Sequence, residues 1–86
     1  LKEVREKSAY MREKIMAMPL VEGVSGLGLM IGITIKGKTA ADAAKECLAD
    51  GLFVLTAKDK IRLLPPLNIT YNEIDKGLDI LGRVLE

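Results

Sequence analysis

The hydrophobic period of this chain changes at Pro19, so helix must give way to sheet within one short polypeptide. Leu1, Val4, Ser8, Met11, Ile15 and Met18 recur at spacings of three and four, which marks one face of a helix. Between them lie Lys2, Glu3, Arg5, Glu6, Lys7, Arg12, Glu13 and Lys14, read as its solvated side. Lys2–Glu6 and Glu3–Lys7 place opposite charges four apart and support that side. Pro19 stops the helix, because a proline pushes the preceding residue out of helical geometry. From Val24 the period becomes two. Leu27, Leu29, Ile31, Ile33 and Ile35 alternate with Gly28, Met30, Gly32 and Thr34, which predicts one long strand. Its aliphatic face belongs on a core, and its mostly small face lets another element approach closely.

Lys36-Gly37-Lys38 then turns the chain, and Thr39 can cap a second helix with Asp42 three residues on. Ala40, Ala43, Ala44, Cys47 and Leu48 give that helix a shallow apolar stripe, and Gly51 stands where a C-terminal cap is expected. Leu52–Leu55 and Lys60–Leu64 read as two short strands forming an antiparallel hairpin through Thr56-Ala57-Lys58-Asp59. Pro65-Pro66 ends the second. Thr70 and Glu73 form a full capping box with Ile69 and Ile74 as its hydrophobic staple, opening a helix that carries Ile74, Leu78, Leu81 and Leu85 on one face. Gly77 and Gly82 weaken that helix by about 1 kcal/mol each relative to alanine. The order helix, strand, helix, strand, strand, helix predicts an α+β fold, a two-layer domain with a small, largely antiparallel sheet and helices on one face. Residues 1–86 read as a single domain.

Composition removes several functions. Lys and Arg total 13 against 12 Asp and Glu, so the net charge of +1 offers no footprint for nucleic acid or an anionic membrane. Tyr10, Phe53 and Tyr71 are the only aromatics, which leaves an aliphatic core and no stacking platform for single strands. No run approaches the roughly 20 apolar residues of a membrane span. With no histidine and one cysteine, neither a histidine base nor a thiolate metal cluster can be assembled. Cys47, on an apolar stripe, reads as a buried structural thiol and suits a reducing, cytoplasmic setting. The start at Leu1, already within a helical pattern, suits a processed or truncated N-terminus.

Two motifs could carry chemistry. Gly26-Leu27-Gly28-Leu29-Met30-Ile31-Gly32 lacks the third glycine of a dinucleotide loop, since Ile31 stands at that position, and tight packing explains its glycines better. Arg62 is different. It is one permanent charge in Lys60-Ile61-Arg62-Leu63-Leu64-Pro65-Pro66-Leu67-Asn68-Ile69-Thr70, and on a strand it faces away from Ile61 and Leu63. Its planar fork suits a carboxylate held by two parallel hydrogen bonds. An arginine that merely keeps an edge strand soluble is the competing explanation.

The segment from Lys60 to Thr70, with Tyr71-Asn72-Glu73-Ile74-Asp75, resembles the C-terminal signature of class III pyridoxal-phosphate aminotransferases. Val24-Ser25-Gly26-Leu27-Gly28-Leu29-Met30-Ile31-Gly32-Ile33 is similar to the glycine-rich strand of that family's small domain, and Gly51-Leu52-Phe53-Val54 to its next strand. Ser25 departs from the arginine common there. The resemblance implies fold type I, with this chain as the C-terminal small domain of a larger enzyme. The cofactor lysine and most pyridoxal phosphate contacts would lie in a large cofactor-binding domain, and the full-length enzyme would be a homodimer. It implies transfer of an amino group to 2-oxoglutarate, in the acetylornithine branch from N-acetylornithine, within arginine biosynthesis. Arg62 would be the substrate-binding residue, pairing with a substrate carboxylate or with an active-site glutamate that gates dual substrate recognition, and no catalytic, cofactor-binding or metal-binding residue is expected in this chain. A stand-alone non-enzymatic module holding a ligand carboxylate through Arg62 is the alternative.

Overall fold

The computed structural model describes all 86 residues. Helix α1 spans Lys2–Met16, strands β1 and β2 span Val21–Ser25 and Ile31–Ile35, and helix α2 spans Ala40–Ala49. Strands β3, Leu55–Ala57, and β4, Lys60–Leu63, precede helix α3, Tyr71–Val84. The four strands form one antiparallel sheet in the order β1-β2-β4-β3. All three helices share one core with it. Met11 and Ile15 of α1, Ala43 and Cys47 of α2, and Ile74 and Leu81 of α3 are buried in one cluster with Ile31, Ile33 and Ile61. This is the predicted two-layer α+β arrangement. Burying a side chain such as Ile33 is worth roughly 1.5–3 kcal/mol, so the sheet's inner face carries much of the stability.

The single long strand predicted from Val24 to Ile35 is instead a hairpin. Chain direction reverses between Ser25 and Ile31, and Val24 pairs with Ile33. Gly26 makes the reversal possible, with φ +103°, and a Cβ there would lie 2.0 Å from the Met30 carbonyl oxygen. The apolar alternation continued through the turn by coincidence of composition: Leu29 is buried, whereas Leu27 at the tip is 86% exposed.

The second hairpin is also shorter than expected. The Leu52 amide bonds the Cys47 carbonyl and the Gly51 amide bonds that of Leu48, so the close of α2 occupies backbone assigned to a strand. Ala57 pairs with Lys60, which leaves a two-residue turn at Lys58-Asp59, with Lys58 itself taking φ +58° in place of a glycine. Strand β4 ends at Leu63, one residue early.

Other details of the helices sort cleanly. Thr39 Oγ1 accepts from the Asp42 amide at 3.0 Å, half of a capping box. At α3 the box is complete: Thr70 Oγ1 accepts from the Glu73 amide at 3.1 Å, and the Thr70 amide donates to Glu73 Oε1 at 3.0 Å. On α1 the Lys2–Glu6 pair forms at 3.9 Å. Lys7 does not pair with Glu3; its Nζ donates to the Ile69 carbonyl at 2.6 Å and so ties α1 to the segment entering α3. No helix is long and apolar enough to cross a membrane.

The Glu73 carboxyl lies below the usual carboxylate range, because the Thr70 backbone amide and then the Thr70 hydroxyl bond its charged form. A folded pKa below the unfolded one stabilises fully above the unfolded value, and that stability disappears as pH falls through the folded value. Urea unfolding of wild type and Glu73→Gln should therefore differ most near neutral pH and converge in acid; a constant gap would contradict this account. Gly82 offers a second measurement. A Cβ there would stand 3.8 Å from Met18 Cε, an ordinary contact. Gly82→Ala should accordingly raise stability by about 0.5–1 kcal/mol, read as a higher urea midpoint at unchanged slope.

Candidate functional site

Alternation along β4 decides where its charges point. Ile61 is fully buried against the helices, so Lys60 and Arg62 project from the opposite, helix-free face of the sheet. Register then fixes their neighbours. Ser25, Gly32, Arg62 and Leu55 form one row across the four strands. Gly23, Thr34, Lys60 and Ala57 form the next. Apart from Leu55 and the two cations, these residues are small, and the guanidinium stands over a low floor. A Cβ at Gly32 would come within 2.9 Å of Ser25 Oγ, so any larger residue there would require the serine side chain to swing aside.

The result is an open cleft of about 260 Å³ lined by Ser25, Gly26, Met30, Gly32, Lys60 and Arg62, among others. Two cations and a hydroxyl border it, and no carboxylate does. Arg62 is half-buried, and the two ion pairs in the chain, Lys2–Glu6 and Lys38–Glu46, leave it free. A guanidinium held on a strand, with open space before it and no internal acid, is chemically able to form two parallel hydrogen bonds to a carboxylate.

The sequence reading missed one structural partner of this cleft. Arg12, assigned to the wet side of α1, reaches back over the β1–β2 turn. Its Nε donates to Ser8 Oγ at 2.8 Å, and its two terminal nitrogens donate to the carbonyls of Ser25 at 3.0 Å, Gly28 at 3.0 Å and Met30 at 3.2 Å. Ser8, counted in the apolar stripe, is buried because its hydroxyl is satisfied by donating to the Gly28 carbonyl at 2.7 Å. Helical periodicity cannot reveal this, since the acceptors are main-chain atoms of a turn taken for strand.

Several other polar groups are committed elsewhere. Glu46 pairs with Lys38 at 2.9 Å, and Lys38 also donates to the Val84 carbonyl at 2.9 Å, joining the loop before α2 to the end of α3. Asp75 accepts from the Tyr10 hydroxyl, which raises the Tyr10 pKa chiefly through that hydrogen bond. Acidic residues gather in no group of three or more suited to a metal ion. Cys47 is fully buried, and burial first, then Glu46 and Asp50, push its thiol pKa up. It should resist a thiol reagent such as DTNB in the native state and react stoichiometrically in denaturant; rapid native labelling would contradict the packing described.

The family model for aminotransferase class-III matches residues 1–85. The chain is 41% identical over 86 residues to acetylornithine aminotransferase of Haemophilus ducreyi, covering 99% of this chain and 22% of that protein. It is 38% identical to the [LysW]-aminoadipate semialdehyde transaminase of Deinococcus radiodurans, covering 96% of this chain and 20% of that one. Among solved structures, N-acetylornithine aminotransferase from Stenotrophomonas maltophilia K279a superimposes with a TM-score of 0.87 at 27% identity, over 94% of this chain and 24% of that one. The chain thus spans about a fifth of the length of the curated relatives it matches.

Proposed function

The chain belongs to the class-III aminotransferases, and on that footing we propose that it is the C-terminal small domain of a pyridoxal-phosphate-dependent transaminase. That enzyme moves an amino group from N-acetylornithine, or a related ω-amino acid, to 2-oxoglutarate, as a cytoplasmic homodimer in arginine biosynthesis. Acetylornithine aminotransferases recur among the similar proteins, which supports the first donor. The relative named for aminoadipate semialdehyde supports the wider ω-amino class.

One observation carries the residue assignment: Arg62 leaves the sheet on the side without helices, beside a cleft that holds no acidic partner. Its role in this reading is to bind and orient a substrate carboxylate through two parallel hydrogen bonds. Holding the substrate by its carboxylate aims the distant amino or keto carbon at the reacting position. Lys60, one row away, adds positive potential without fixed geometry.

Pyridoxal phosphate, when bound, supplies the electron sink for amino-group transfer. The cleft does not fit it: Ser25, Lys60 and Arg62 bring neither an aromatic wall nor a carboxylate for a pyridine nitrogen. We therefore assign the cofactor to a large domain outside these residues. Large apolar side chains standing in water support a covering domain, among them Leu27, 86% exposed, and Phe53 and Leu67, each 70% exposed.

Arg62→Lys in the complete enzyme replaces a fork with a point charge and loses about one charge-assisted hydrogen bond, roughly 1.5–3 kcal/mol. KM for the carboxylate substrates should rise about 10- to 100-fold, with the cofactor's visible absorbance retained. Unchanged KM values in both half-reactions would overturn the assignment.

A further inference from the structure

We propose that Arg12 is a positioning residue for the carboxylate site, acting through the β1–β2 turn; this rests on the reading of Arg62 given above. The turn contributes Ser25, Gly26 and Met30 to the wall of the Arg62 cleft, and the strand leaving it contributes Gly32 to the floor. Two of its residues are left-handed, Gly26 at φ +103° and Gly28 at φ +56°. Such a turn brings carbonyl oxygens together. Those of Ser25, Gly28 and Met30 converge on one guanidinium from α1, and Gly28 also accepts from Ser8.

Without a cation at their focus, three converging carbonyl dipoles repel, and the turn keeps only the Met30 amide to Leu27 carbonyl bond, 2.9 Å, and the Ser8 hydroxyl to Gly28 carbonyl bond, 2.7 Å, to hold its shape. The Ser25 carbonyl is the first of the three, and its side chain packs against Gly32, the direct partner of Arg62 across β2 and β4. The path from Arg12 to the cleft is therefore short: guanidinium, Ser25, Gly32, Arg62. A planar fork spans several acceptors at once, and an ammonium on a flexible stem does not.

The test uses the complete enzyme carrying Arg12→Lys, Arg62→Lys or both, with Ser8→Ala as a milder variant. Ser8→Ala leaves the three carbonyl contacts of Arg12 in place and keeps the question answerable if Arg12→Lys fails to fold. Arg12→Lys should raise KM for 2-oxoglutarate about tenfold with kcat nearly unchanged, and Ser8→Ala should act in the same direction by less. Amide hydrogen exchange should quicken in residues 26–30 and stay at its wild-type rate in α2 and β4. In the Arg62→Lys background the added penalty of Arg12→Lys should be small, because both act on one bound carboxylate.

Faster exchange throughout the domain, or penalties that simply multiply, would reduce Arg12 to general stability and overturn the proposal. A raised KM for Arg62→Lys with no change for Arg12→Lys or Ser8→Ala sinks the positioning role alone. An unchanged KM for Arg62→Lys sinks the carboxylate reading, and this proposal with it.

Discussion

A sheet covered on one side only is the constraint on which the molecule depends. Ile31, Ile33 and Ile61 must all face the helices to complete a single aliphatic core, and period-two geometry then leaves no choice for the residues between them. Gly32 and Arg62 are sent to the other side as a direct consequence of burying their neighbours. A slip of one residue along β4 would bury the guanidinium and expose Ile61. Hydrophobic burial is thus what aims the charge, and no separate device is required to point it outward.

The glycine-rich turn and α1 show how a small domain gives shape to irregular backbone. Helix α1 does more than fill the core through Met11 and Ile15. One turn of it, through Ser8 and Arg12, supplies the donors that converging turn carbonyls require. Lys7 and Lys38 act similarly, each donating to a main-chain carbonyl far away in sequence, at Ile69 and Val84. Lysine and arginine here add hydrogen bonds between elements distant in sequence to the hydrophobic contacts that already join them.

Most elements were legible because their signals are local. Pro19 halted a helix where periodicity and backbone sterics agreed, and Thr70 with Glu73 announced α3 through a box that forms in full. Arg62 was legible by simple alternation with Ile61 and Leu63. The hairpin at Gly26–Met30 was not, because Leu27 and Leu29 continue the strand's rhythm although only Leu29 is buried. The start of β3 was misplaced because Leu52 carries strand-like chemistry while its amide closes α2. Arg12 looked like any solvated helix charge; its partners are backbone atoms, to which side-chain patterns are blind.

The two margins of the sheet have a consequence of their own. At one margin β3 is only three residues long, and at the other the pairing of β1 with β2 is interrupted by a bulge between Val21 and Gly23. A short strand and a kinked one present few aligned, unpaired amides and carbonyls, so neither makes a good template for adding a strand from another molecule. The fold can leave one face of its sheet unclad and still be guarded against growing sideways into fibrils.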